Sequence, residues 1–347
     1  MKIYHYCIAA LLWIMSSCTS QTTNSEKCIM PSATWAILDT DLGSSTDDLV
    51  AMTMLYDAHR KGDIELKAIM VNRPGIPNMR IADIMNTYYG FDGLAIGKPN
   101  NAPQNAQIFI DYGSMAMPEN NQQSTNFKRF YTDEQLTQMQ YAEDLYRQIL
   151  SEANDTSVVI FSIGFPTNIA HLLESKADKH SNLDGVALVA QKVKALYIQG
   201  GHLSNYSDEP EYNLLQDPQN AQILIEKWPT KIYFSPGETG ERFDYKPDTV
   251  INDQKINNLA DSPLCYVYTH YNCDTGQKMW DACAILQYLH PEFFEHKGPV
   301  RYSIDKDMCL HENPGTLHYI TYTKTAQQDS IVMNYIRQSS LGGLCKQ

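Results

Sequence analysis

The chain reads as an α/β protein, with a mostly parallel central sheet flanked by helices and a small antiparallel pair near the C-terminus. Beyond residue 33, short apolar runs alternate with longer helical patterns, as βα units on a shared sheet do. Near the end, residues 300–304 and 316–323 alternate in a way that suits two antiparallel strands. No repeat and no clear boundary interrupts residues 34–347, so they are expected to form one domain.

In chain order, the first strand is expected at 35–38, just before a cluster of acids. A helix follows over 48–61; Ser44, Ser45 or Thr46 can cap it, and Asp47 and Asp48 suit the positive end of its dipole. Strand 66–71, helix 79–89 and strand 94–96 continue the alternation. Residues 100–132, with several Asn, Gln and Pro, form a long excursion near the sheet's carboxyl edge, where such folds bind ligands. A helix over 133–151 leads to strand 158–163, a turn at Gly164 and a capped helix over 168–174. Strand 195–198, helix 218–226, strand 231–235, an apolar helix headed by Trp280-Asp281, the late pair and a helix around 331–336 complete the order.

The N-terminus reads as an export signal: Lys2, a short apolar run from Cys7 to Met15, then Ser16-Ser17-Cys18. That run is too short to span a bilayer, and small residues before Cys18 resemble a bacterial lipoprotein processing site. Residues 1–17 are expected to be removed, Cys18 to carry lipid, and residues 18–33 to form a Ser-, Thr- and Gln-rich tether. The chain would then be exported and held to a bacterial membrane only through its N-terminal lipid, or be periplasmic if unlipidated. Net charge is −13, and loss of Lys2 with the signal makes it −14, which disfavours nucleic acid and anionic lipid as partners. Cys28, Cys265, Cys273, Cys283, Cys309 and Cys345 match no zinc ribbon and permit disulfides of unassigned pairing.

The most informative segment is Asp39-Thr40-Asp41-Leu42-Gly43-Ser44-Ser45-Thr46-Asp47-Asp48. Strand alternation puts Asp39 and Asp41 on one side, Gly43 allows a sharp turn, and Asp47 and Asp48 fall at a helix start. Capping needs one carboxylate and leaves three unexplained, whereas a hard cation would compensate all four. Oxygen-only ligands suit calcium or magnesium better than zinc. Other strand ends carry polar groups: Ile163-Gly164 with Thr167-Asn168, Gln199-Gly200-Gly201-His202, then Asn205, Glu211 and Asn213, and later Trp280-Asp281.

This ordered set resembles the inosine-uridine preferring nucleoside hydrolase family from about Trp35 to past Asp281. The family's signature is Asp-x-Asp-Pro-Gly-x-Asp-Asp; Asp39, Asp41, Gly43, Asp47 and Asp48 match it, with Leu42 for Pro and two extra residues before the tandem acids. That longer loop and Asn86-Thr87-Tyr88-Tyr89-Gly90 look like a divergent, exported branch of Bacteroidetes type. The resemblance implies one calcium ion held by Asp41, Asp48, Asp281 and the Ile163 carbonyl, with Asp39 in support. It implies ribose binding by Asp47, Asn205, Glu211 and Asn213, and a pocket lined by Gln199. The implied reaction is hydrolysis of the N-ribosidic bond of a small riboside, with Asp41 as general base toward a water that calcium holds. A homo-oligomer is compatible with this reading.

One departure concerns the leaving group. Trp280 stands where many members have His before the last acid, and an indole stacks on a flat base but cannot protonate it. His202 and His270 are candidates for the missing acid, with His311 more remote. Two alternatives follow: a sugar- or nucleoside-binding lipoprotein without turnover, and a magnesium-dependent Asp-x-Asp phosphatase using Asp39 and Asp41. The phosphatase would want a small hydroxyl residue where Gly43 stands.

Overall fold

Apolar strands that hydrogen-bond side by side in parallel must cover both faces with helices, and this chain does so. The computed structural model describes residues 33–116, 127–203, 210–271, 273 and 277–344. β1 (Thr34–Thr40), α1 (Asp47–Lys61), β2 (Ile64–Val71), α2 (Ile76–Tyr88) and β3 (Ala95–Gly97) open the fold. α3 (Asp133–Thr137), α4 (Ala142–Glu152), β4 (Val158–Ser162), α5 (Thr167–Glu174), α6 (Gly185–Lys192), β5 (Val193–Gln199) and β6 (His202–Leu203) follow. Next come α7 (Tyr212–Gln216), α8 (Pro218–Lys227), β7 (Lys231–Ser235), α9 (Gly237–Gly240), β8 (Asp244–Tyr245), α10 (Pro247–Ile256) and α11 (Pro263–His270). β9 (Gln277–Lys278), α12 (Trp280–Leu289), β10 (Phe294–Ile304), β11 (Cys309–Thr323) and α13 (Ala326–Ser339) end it.

The main sheet has the order β10-β11-β7-β5-β4-β1-β2-β3, with β6 beside β11 and every pairing parallel except β10 with β11. From β1 the chain steps outward to β2 and β3, then crosses back to β4 on the other side. The ends of β1 and β4 therefore flank a topological switch point, where open parallel sheets leave a crevice. A separate antiparallel pair joins β8 to β9.

Two apolar layers cover the sheet, and alternation along β1 assigns them: Ala36 and Leu38 enter one, Ile37 the other. α1 lies inside the first layer and is buried from Asp47 to Ala58. Leu49, Val50, Met52, Met54 and Leu55 are fully buried, worth about 1.5–3 kcal/mol for each large apolar side chain. Gly62, left-handed at φ 83°, ends the helix by donating to the Ala58 and His59 carbonyls. Burial of this helix brings its first-turn acids into the molecule.

The helix expected over 133–151 is divided into α3 and α4. Residues between them follow the end of β3 instead: Lys98 donates to the Gln140 carbonyl at 2.9 Å and Ala142 to the Lys98 carbonyl at 2.8 Å. The late antiparallel pair extends further than expected and joins the main sheet through β11 and β7. Cys265, Cys283 and Cys309 are buried thiols. Among the described residues, no helix is long and apolar enough to cross a membrane.

His318 of β11 gives this edge a pH dependence. It is fully buried, its Nδ1 accepts the Tyr302 amide at 2.8 Å, and its Nε2 has no partner. Burial, with Arg301 nearby, lowers its pKa from 6.5 to about 4. Between those values the unfolded imidazole takes a proton that the folded one refuses. The stability it contributes is complete above about pH 6.5 and is lost as pH falls toward about 4. The check is Tm against pH for His318→Gln, which retains an acceptor for Tyr302: its Tm should fall less steeply across that window than the wild type's. Parallel curves would rule out the His318 contribution.

Candidate active site

The acid turn sits at the switch point because β1 ends there and buried α1 starts there. Gly43 takes φ 120° and donates its amide to Tyr112 Oη at 2.8 Å, and Tyr112 donates to the Ser45 carbonyl at 2.8 Å. Tyr112, from the expected excursion after β3, thus lies directly on this turn. Ile110 donates to the Ser44 carbonyl at 2.9 Å. Gly164, at the end of β4, has no room for a side chain: a Cβ there would lie 2.4 Å from the Asp41 nitrogen.

Asp39, Asp41, Asp47, Asp48 and Asp281 are all buried. Asp39 accepts from Asn72 Nδ2 at 2.7 Å, Tyr146 Oη at 2.9 Å and Asn168 Nδ2 at 3.2 Å. Burial outweighs these bonds and pushes its pKa up to about 7. Asp47 accepts from the Ser45 hydroxyl and from the Asp281 amide at 3.2 Å; burial raises it to about 6. Asp48 accepts from the Thr40 hydroxyl through Oδ1. Burial first, then the charges of Asp41 and Asp47, hold Asp48 well above the carboxylate range. Asp281 is raised likewise by burial, then by Asp47, Asp48, Asp41 and Glu211.

Asp47, Asp48 and Asp281 each offer an oxygen within 4.8 Å of the others. Asp48 Oδ2 is buried with no hydrogen-bond partner. A buried acceptor without a donor, among carboxylates that resist ionising together, fits a cation. The all-oxygen donor set fits a hard one.

Asp41 borders this trio and is engaged by Arg73. Arg73 Nη2 donates to Asp41 Oδ2 at 2.9 Å and to Tyr212 Oη at 3.0 Å, while Nε donates to the Asp41 carbonyl at 3.0 Å. Burial still raises the Asp41 pKa against this cation. Asp47, expected at the ribose, offers an oxygen beside those of Asp48 and Asp281, and Asp41 lies close enough for its charge to raise both of the latter.

The remaining polar groups converge from β4, β5 and α7. Asn213 Nδ2 donates to the Ile163 carbonyl at 3.3 Å and to Gln199 Oε1. Glu211 caps α7, accepting from the Asn213 amide at 3.0 Å and the Leu214 amide at 2.9 Å. Trp280 is half-buried at the start of α12, its backbone against Gly240. His270 is exposed and stacks on Tyr266 at 4.1 Å, and His311 is exposed on β11. His202 is buried with Nε2 3.1 Å from the Asp307 carbonyl. Asn205 and Cys18 lie outside the described residues.

Sequence reasoning missed Arg73, Tyr112, Tyr146 and Asn72. Asn72-Arg73 follows a recognised strand, so the rule that singled out Asp39 and Asp41 could have found both. Tyr112 lies in the irregular excursion and carried no such signal.

Buried carboxylates at a parallel-sheet switch point, bordered by amides and a further carboxylate, define an acidic, metal-capable site. The model of the inosine-uridine preferring nucleoside hydrolase family matches residues 36–327, and the chain belongs to that family. It is 27% identical over 162 residues to the pyrimidine-specific ribonucleoside hydrolase RihA of Photobacterium profundum, covering 44% of this chain and 49% of that one. It is 24% identical over 236 residues to RihA of Escherichia coli O1:K1, covering 64% and 60%. The matches thus span about half to three-fifths of these curated relatives. The purine-preferring ribonucleoside hydrolase from Gardnerella vaginalis shares the fold, with TM-score 0.65 at 16% identity over 89% of this chain and 99% of that one.

Proposed function

We propose that this chain is a calcium-dependent hydrolase that cleaves the N-ribosidic bond of a nucleoside or related riboside into ribose and base. The observation that carries this reading is the buried trio Asp47, Asp48 and Asp281 with its unpartnered Asp48 Oδ2, beside Glu211 and Asn213. Asp48 and Asp281 would hold the ion, with Asp47 or Asp41 and the Ile163 carbonyl completing its oxygens. When bound, the cation neutralises these acids and orders water and sugar hydroxyls.

The chain's own residues supply the rest. Asp41 accepts the proton of the attacking water, and Arg73, on Oδ2, fixes the carboxylate while the other oxygen takes that proton. Glu211 and Asn213 orient the ribose, and the surrounding carboxylates favour the positive charge that the sugar develops. Departure of the base rests on stacking by Trp280 and on solvent. Of the two candidate acids, His270 is exposed against Tyr266 and His202 holds its Nε2 against the Asp307 carbonyl.

The test is product analysis in phosphate-free buffer with calcium and a panel of purine, pyrimidine and unusual ribosides. One free ribose and one free base per turnover are expected, with loss of both on chelation. Saturable binding without ribose would make the chain a riboside-binding protein instead. We further propose export with lipid on Cys18, a reading supported by Lys2, the apolar run to Met15 and Ser16-Ser17.

A further inference from the structure

The turn joining β10 to β11 gathers a second set of metal-ligating side chains. Asp305, Cys309 and His311 each offer a ligand atom within 4.8 Å of the others. The turn itself orients Asp305: Oδ1 accepts the Asp307 and Cys309 amides, both at 3.0 Å, which leaves Oδ2 to His311 Nε2 at 2.8 Å. Cys309 and His311 are two residues apart on β11, so they project to one face. Cys309 is 7% exposed.

His202 supplies an independent observation. It is the register partner of Cys309 in the parallel β6–β11 pair, so it shares that face. The residue is 5% exposed and its Nε2 lies 3.1 Å from the Asp307 carbonyl, in the same turn. A carbonyl only accepts, so Nε2 carries the proton and Nδ1 presents a lone pair. That nitrogen is buried without a partner. An ion pair between Asp305 and His311 accounts for two of these groups and leaves the buried Cys309 thiol, with the bare His202 nitrogen on the adjacent strand.

We infer that this turn is a second metal site, for a borderline-soft divalent transition ion of the zinc class, with Cys309 Sγ, His311 and Asp305 Oδ2 as ligands and His202 as the further nitrogen on the same face. Sulfur and imidazole select such an ion over calcium, and one thiolate with one carboxylate balances its two charges. Binding releases the Cys309 thiol proton to solvent. The Asp307 carbonyl also accepts the Glu211 amide at 3.4 Å, so an ion tightening this turn would steady the segment that carries Glu211.

Cobalt(II) is the probe, added to the full chain in excess calcium. A near-ultraviolet thiolate-to-cobalt absorption that saturates at one equivalent and is displaced by zinc is expected. Cys309→Ser should abolish it, while Asp48→Asn leaves it unchanged. His311→Ala, at an exposed position, should weaken cobalt binding by about tenfold or more, since losing even an outer-shell partner costs that much. Absence of the band in the wild type, or its survival in Cys309→Ser, overturns the site. Cobalt bound without a thiolate band would place it on the acid crevice only and equally overturn it.

Discussion

Asp48→Asn is expected to abolish the rise in Tm that calcium gives the wild type while leaving the metal-free Tm nearly unchanged. Asn retains an acceptor for the Thr40 hydroxyl and the shape of the side chain, so packing at the start of α1 survives. Burial already favours the neutral form of Asp48, and a neutral amide therefore costs the metal-free protein little. What disappears is a charged oxygen with no protein partner. A ligand that binds only the folded state stabilises it by RT ln(1 + [L]/Kd), about 4 kcal/mol at roughly a thousandfold excess over Kd. For a domain of this size that is a Tm shift of several degrees. Scanning calorimetry with and without calcium measures it, and an undiminished calcium response in Asp48→Asn would remove this residue from the metal site.

Asp41→Asn is expected to bind riboside nearly as well as the wild type and to release ribose about 10²–10⁴-fold more slowly, a loss of roughly 3–5 kcal/mol from transition-state stabilisation. Asn can still accept from Arg73 Nη2, so the local geometry is preserved while the proton acceptor is lost. Binding by calorimetry beside turnover by ribose release separates the two effects. Equal turnover in variant and wild type would assign the base elsewhere. A loss confined to binding would make Asp41 a substrate ligand rather than the proton acceptor.

Where the sequence was legible, local periodicity and position agreed. Asp39 and Asp41 alternate at the end of an apolar strand, and the strand ends at Ile163 and Gln199 were visible as apolar runs stopped by glycine. The parallel sheet follows from the same alternation. Illegible parts depend on long-range contacts. The break between α3 and α4 comes from hydrogen bonds to Lys98, some forty positions earlier. The strand-end position of Arg73 was readable, but its engagement of Asp41 depends on the fold. α10 and α11 carried start signals that pattern reading passed over: Pro247 in the first turn of one, the Ser262 cap with Pro263 in the other.

The central claim is that an ion held by buried carboxylates at the β1–β4 switch point supports cleavage of a ribosidic bond. Its most direct test is a calcium titration of the metal-free full chain, with Tm and ribose release followed on the same samples. Both should rise over one calcium range and saturate together, and both should fail to rise in Asp48→Asn. Full ribose release in the presence of chelator, or a calcium-dependent Tm with no ribose released from any riboside, would contradict it.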